Sequence, residues 1–165
     1  MGMTKADAKS TLSRGLARLI KARSVTDKDL IQAERYVRDW LGAMVAGGAT
    51  EPGKILRAYA RNRSGLEDRV FLGGALSHIT ETDDLHRGST THPACAVVPV
   101  ALLLGRHLEK DGKAILHAVL GGYEAMLRVG EALGPAHYRI FHNTATAGVF
   151  GSLYALLRKF RCSGC

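Results

Sequence analysis

The sequence has few of the features that mark secreted or membrane proteins. It contains three cysteines in 165 residues, which gives no disulfide framework and fits a reducing compartment. The first 15 residues carry acidic and polar side chains where a signal peptide needs an apolar core. The longest apolar run, residues 94–105, is too short to span a bilayer and contains Pro99. We therefore expect a soluble, cytoplasmic protein that does not enter a membrane.

Aromatic residues are also scarce, at 6% of the chain, although the net charge is +8. A basic excess is often a sign of nucleic-acid binding, but such proteins usually cluster their charge and supply aromatic rings for base stacking. Here the basic residues are spread among acidic ones, with no run of like charge. The composition thus argues against a nucleic-acid partner and leaves a small anionic ligand as the better match for the charge.

The apolar residues recur at helical spacing in almost every segment, and no strand-length alternation is present. The clearest helix start is at Thr26, with Asp29 placed to complete a capping box, and we expect Gly47-Gly48 to end that helix. Paired glycines within other helical segments predict close packing of helices. The sequence predicts an all-α multi-helix bundle, with the helices near residues 12–20, 26–46, 53–63, 67–78, 93–110, 113–133 and 145–160.

Two polar stretches interrupt this pattern, at residues 78–92 and 137–144. Histidines beside carboxylates are typical of general acid/base sites, and Arg87 would suit a carboxylate ligand. A metal site is the first alternative, but the spacing matches neither a helical His pair with an intervening Glu nor a Cys-pair pattern, so we predict no metal. The second alternative is a solvated, salt-bridged connector between helices, and composition alone does not decide between it and an acid/base site.

Three segments resemble the helical domain of the MmgE/PrpD family, which includes 2-methylcitrate dehydratases and cis-aconitate decarboxylases. They read FLGGALSHITETDDLHRGSTTHPACAVVPVALLLG, AVLGGYEAMLRVGEAL and HYRIFHNTATAGVFGSLYALLRKF. With an early helix that is similar as well, the resemblance covers residues from about 10 to 160. It implies a large all-helical domain followed by a smaller α+β domain, usually in a homodimer. It also implies an active site between the domains, without metal or organic cofactor.

The resemblance assigns roles to particular residues. His92 and His142 match active-site histidines of the family, and Glu81 matches the first acid of its D-x-D-D run, so these three are predicted to be catalytic. The predicted substrate-binding residues are Asp83, Asp84, Arg87 and Thr91. Leu85 stands where several members, including the decarboxylases, have an active-site threonine, which argues against decarboxylase activity.

The resemblance thus predicts a carbon–oxygen lyase that dehydrates a citrate-like carboxylic acid, as in propionate metabolism. Residues 1–165 correspond to a partial helical domain, and the α+β domain is missing from them. We therefore expect an inactive fragment with exposed apolar surface through which it associates. Two alternatives stay open: a lyase half completed by a partner chain, and a non-catalytic helical interaction module.

Overall fold

The computed structural model describes residues 11–159, and within them every regular element is a helix. The predicted all-α class is therefore confirmed. In chain order the helices are α1 (Leu12–Ala22), α2 (Asp27–Ala49), α3 (Glu51–Ala60), α4 (Leu66–His78), α5 (Pro93–His107), α6 (Gly112–Tyr138) and α7 (Asn143–Lys159). In the part of the chain so described, no helix is both long and apolar enough to cross a membrane.

The predicted capping box at the start of α2 is confirmed. The Thr26 side chain accepts a hydrogen bond from the Asp29 backbone N–H, and the Thr26 N–H donates to Asp29 Oδ2 at 2.8 Å. The predicted end of α2 at Gly47-Gly48 is wrong, because the helix continues to Ala49. A Cβ on Gly47 would collide with the Leu76 carbonyl oxygen, so this glycine allows close approach to α4 instead of ending α2.

Helix α6 extends further than its apolar stripe predicts. Hydrogen bonding continues to Tyr138, but Gly134 has φ 66° and ψ 179°, so the chain kinks there, immediately before Pro135. Positive φ is readily adopted by glycine, and proline cannot donate a helical hydrogen bond. The helix predicted near residues 113–133 is thus confirmed up to this kink, and one more turn follows it. The connector that remains, residues 139–142, is short and brings the start of α7 close to α6.

Helix α5 runs through the middle of the bundle and contacts α4, α6 and α7. Its inward face is fully buried, and it packs against Met126 of α6 and Ala155 of α7. Gly122 of α6 faces Gly151 of α7, where an added Cβ would lie 2.9 Å from the Gly151 carbonyl oxygen. The prediction that paired glycines mark close helix packing is confirmed at this contact. This packing fixes the amino ends of α5 and α7 side by side.

Candidate active site

The loop between α4 and α5, residues 79–92, has a fixed shape set by its own hydrogen bonds. An antiparallel bridge joins His86 and Thr91, with the His86 N–H donating to the Thr91 carbonyl at 2.9 Å. The Thr91 side chain is fully buried against Ser89, with 2.7 Å between the two hydroxyl oxygens. Arg87 lies exposed at the tip of this turn. The predicted substrate contacts of Thr91 and Arg87 stay predictions, and the visible contacts of Thr91 are structural.

Two hydrogen bonds join the two polar stretches. The His92 N–H donates to Thr144 Oγ1 at 3.0 Å, and Asn143 Nδ2 donates to the Ser89 carbonyl at 2.9 Å. Both contacts link residues more than 50 positions apart, between the loop before α5 and the first turn of α7. The two polar stretches, which are separate in the sequence, therefore form one site.

Asp83 is the buried centre of this site. Its side chain has no exposed surface, and His78 Nδ1 lies 3.1 Å from each of its two oxygens. His92 Nδ1 lies 3.3 Å from Oδ1, but the angle is poor and this nitrogen makes no hydrogen bond among the described residues. The two imidazole rings are 4.8 Å apart, centre to centre. One buried carboxylate is thus shared between two histidines.

Glu81 lies on the outer side of the same two rings. Its carboxylate oxygens are 3.6 Å from His78 Nε2 and 3.7 Å from His92 Nε2, and its side chain is 68% exposed. Its backbone has φ 54°, a left-handed conformation that is uncommon for residues other than glycine. Such conformations cost free energy and persist where the surrounding structure enforces them. Glu81 therefore stands at the solvent side of the cluster, and its predicted catalytic role stays a prediction.

His142, the second predicted catalytic histidine, approaches the cluster from the start of α7. Its ring centre lies 6.2 Å from that of His78, and Tyr138 is a further neighbour at 5.9 Å. His142 is exposed, whereas His137 from the same polar stretch turns away to contact Thr146. The structure therefore brings His92, His142 and Glu81 together with Asp83.

Asp84 lies next to Asp83 but faces the helices. Its Oδ1 accepts from the Ala94 N–H at 2.9 Å, and its Oδ2 accepts from the Tyr123 hydroxyl at 2.8 Å. Burial raises the pKa of this carboxyl, and the two hydrogen bonds partly oppose the rise. Asp84 thereby ties the first turn of α5 to α6. Its predicted contact with substrate stays a prediction, because both oxygens already have protein donors.

The electrostatics favour proton transfer by histidine over thiol chemistry. The hydrogen bond to Asp83 raises the pKa of His78, although burial opposes this, and the charges of Asp83, Glu81 and Asp84 add to the rise. Burial, followed by the charges of the two aspartates, raises the pKa of the Cys95 thiol far above its usual range. Since the thiolate is the nucleophilic form of cysteine, Cys95 is not a nucleophile here.

The cluster opens onto a cleft of about 870 Å³ between α4, α5 and α7. His78, Glu81 and His142 line it, whereas Asp83 and His92 lie behind its wall. The remaining wall is mostly apolar, with the small hydroxyl side chains of Thr144 and Ser152. A cleft of this size with a few convergent polar groups is typical of a small-molecule site.

The same cluster contains potential metal ligands. Ring nitrogens of His78 and His92 and an oxygen of Asp83 lie within 4.8 Å of one another, and these are ligand types that transition metals accept. Hydrogen bonding explains the contact between His78 and Asp83 without an ion, whereas His92 Nδ1 makes no hydrogen bond among the described residues. The prediction of no metal stays a prediction.

His78 belongs to the first polar stretch, but neither the residue pattern nor the family resemblance assigns it a role. It is the last residue of α4, five positions before Asp83, so its ring turns back onto the carboxylate of the following loop. The one signal in the sequence is a histidine at a helix end next to an acidic loop. That pattern is common, and the shape of the loop decides whether the two groups meet.

Residues 65–159 match the MmgE/PrpD N-terminal domain. This match starts later than the resemblance from about residue 10, but it contains every predicted site residue and covers more than half of the chain. No curated protein matches the chain. The chain belongs to the MmgE/PrpD family, with its histidine and carboxylate cluster inside the matched domain.

Proposed function

We propose that the chain carries part of the active site of a carbon–oxygen lyase that dehydrates a citrate-like carboxylic acid, as 2-methylcitrate dehydratase does. The observation that supports this most is the meeting of His78, Glu81, Asp83, His92 and His142 at one cleft in a chain of the MmgE/PrpD family. Such a cluster can both accept and donate protons near neutral pH.

Dehydration requires two proton transfers. A base removes a proton from the carbon next to a carboxylate, and an acid protonates the hydroxide that leaves the neighbouring carbon. His78 at the end of α4 and His142 at the start of α7 both line the cleft, with ring centres 6.2 Å apart, so both can reach one bound acid. The side chain of Leu85 is 54% exposed, where family decarboxylases have a threonine, and this favours dehydration over decarboxylation.

A citrate-like acid carries three carboxylates, and catalysis needs cationic groups to stabilise their charge. The described cleft wall offers histidines, hydroxyls and apolar side chains for this purpose. We propose that the missing cations come from the α+β domain that the family resemblance implies, and that residues 1–165 are a partial helical domain. The α+β domain then belongs either to a longer form of this protein or to a partner chain.

The exposed face of α7 supports association. Val149, Phe150, Leu153 and Leu157 are each between 47% and 66% exposed, and the last three line an apolar groove of about 580 Å³ with α1 and α6. Apolar surface of this kind marks interaction sites. We propose that a cytoplasmic homodimer or a completing domain covers it. The same groove favours a second candidate function, a non-catalytic helical interaction module.

The test is an enoate absorbance assay with the purified full chain and 2-methylcitrate or cis-aconitate. If the chain is a lyase half, we expect turnover only after a family α+β domain is added, and His92→Ala should abolish it. Turnover by the chain alone, lost in His92→Ala, would support the lyase and contradict the inactive fragment. If neither the chain alone nor the chain with the added domain turns over substrate, but the chain binds a partner at the α7 groove, the interaction module is favoured.

A further inference from the structure

His78 lines the cleft and is also held in place by the buried carboxylate of Asp83. Its Nδ1 is held by both oxygens of Asp83 at 3.1 Å, which fixes the ring from the buried side. Its other nitrogen, Nε2, therefore faces away from Asp83, on the side where Glu81 lies 3.6 Å away. Since Glu81 and His78 both line the cleft, a ligand bound there would lie beside the His78 ring.

His92 is placed less favourably for direct contact. Its side chain is 13% exposed, half the value of 26% for His78, and it is not among the residues that line the cleft. Its backbone N–H is also tied to Thr144 at 3.0 Å, which holds it at the start of α5. A ligand in the cleft thus meets His78 and His142 before His92.

Building on the lyase function proposed above, we propose that His78 is a further catalytic residue that donates the proton to the departing hydroxide. In this step the carbon–oxygen bond breaks, and its electron pair leaves with the oxygen, which takes the proton from His78 Nε2 and departs as water. A base elsewhere in the cleft removes the proton from the neighbouring carbon, and that C–H electron pair forms the double bond. His78 loses one proton and the base gains one, so the charge balances. Asp83 holds the ring through Nδ1 during the transfer.

The surroundings of His78 favour its charged form over the neutral one. Its pKa is raised by the hydrogen bond to Asp83 and by the charges of Asp83, Glu81 and Asp84, which outweigh the opposing effect of burial. A protonated imidazole that is oriented by a carboxylate can act as a general acid near neutral pH. The titratable groups that face the ring from the neighbouring elements are Glu81, Asp83 and Asp84 of the loop, His92 and Cys95 at α5, and His142 at α7.

The experiment uses the full chain, isotopically labelled at histidine, with citrate as the probe. We expect citrate to shift the imidazole signals of His78, and His78→Gln to weaken citrate binding about tenfold, because a charge-assisted hydrogen bond is lost. Wild-type affinity should fall as pH rises through the titration of His78, and this fall should be smaller in His78→Gln, where His142 remains. The matched control is His107→Gln, at the exposed far end of α5 and about 20 Å along the helix from His92, which should bind as wild type.

The outcomes separate the two proposals. If citrate shifts His142 but not His78, and His78→Gln binds with wild-type affinity and pH dependence, the role of His78 is overturned while the proposed function stands. If citrate shifts no histidine of the cleft, either in the chain alone or after a family α+β domain is added, both proposals fail. The wild-type spectrum needs no variant, so it still decides the matter if His78→Gln does not fold. A purely structural role for His78 would leave the pH dependence of binding unchanged wherever the variant folds.

Discussion

Replacing Asp83 by asparagine tests the electrostatic centre of the site. The carboxylate is completely buried and contacts His78 with both oxygens at 3.1 Å, and the His78 side chain is only 26% exposed. A buried hydrogen bond to a charged group contributes about 1.5–3 kcal/mol, and breaking a buried ion pair costs somewhat more. We therefore expect Asp83→Asn to lower the free energy of unfolding by about 2–4 kcal/mol near pH 6.

The loss of stability caused by Asp83→Asn should become smaller as the pH rises. Because the pKa of His78 is raised in the folded protein, the stability from its charged form is fully present below its unfolded value of about 6.5 and is lost as pH rises through the folded value. The difference between wild type and Asp83→Asn should therefore be largest near pH 6 and smaller near pH 9. In the variant, the pKa of His78 should move back toward its ordinary range.

Urea denaturation at the two pH values measures the free energy, and an NMR titration follows His78 directly. The control is Glu81→Gln, which removes an exposed carboxylate near the same ring and should change stability little at either pH. An Asp83→Asn difference that is equal at both pH values, or larger near pH 9, would refute the reasoning. It would mean that the contribution of Asp83 to stability does not come from pairing with a charged histidine.

Three further outcomes follow from the packing. Gly122→Ala should destabilise the protein by roughly 1–3 kcal/mol in thermal denaturation, because its Cβ would overlap α5 and α7, whereas Gly42→Ala has open space and should be neutral or stabilising. Tyr123→Phe should cost about 1–2 kcal/mol and raise the pKa of Asp84 further, which an infrared carboxyl band can follow, since one of its donors is lost. Phe150→Ser should reduce association in sedimentation velocity without lowering the unfolding temperature, since that ring is 47% exposed on α7.

The fold was predictable to the extent that local chemistry determines it. The capping box at Thr26 and the apolar stripes place the helices because they act within one or two turns of chain. The end of α2 was mispredicted because glycine has two uses, helix termination and close packing, and only the neighbouring helix decides between them. At Gly47 the neighbour is the Leu76 carbonyl of α4, which lies 29 residues further along the chain.

The site was only partly predictable for the same reason. The sequence indicates which histidines and acids are present, and the family resemblance selects His92 and His142. It does not show that Asp83 faces the histidines while Asp84 faces Tyr123, because adjacent loop residues point to different sides only once the loop has its shape. The role of His78 depends on the direction in which Asp83 points, since the His78 ring is held by its hydrogen bond to Asp83. The pattern of residue types therefore locates the site, but it does not show which side chains contact each other within it.

The arrangement of helix ends explains how so acidic a loop can be packed into the bundle. The amino ends of α5 and α7 meet there, and an amino end carries partial positive charge and free N–H groups. Asp84 uses this directly by accepting from the Ala94 N–H in the first turn of α5, while both oxygens of Asp83 lie 3.1 Å from His78 Nδ1. With both buried carboxylates satisfied inside the protein, Glu81 and the cleft-facing histidines remain open to solvent. Thr144 and Ala145 of the first turn of α7 line the cleft, so a carboxylate bound there would lie near the positive amino end of that helix.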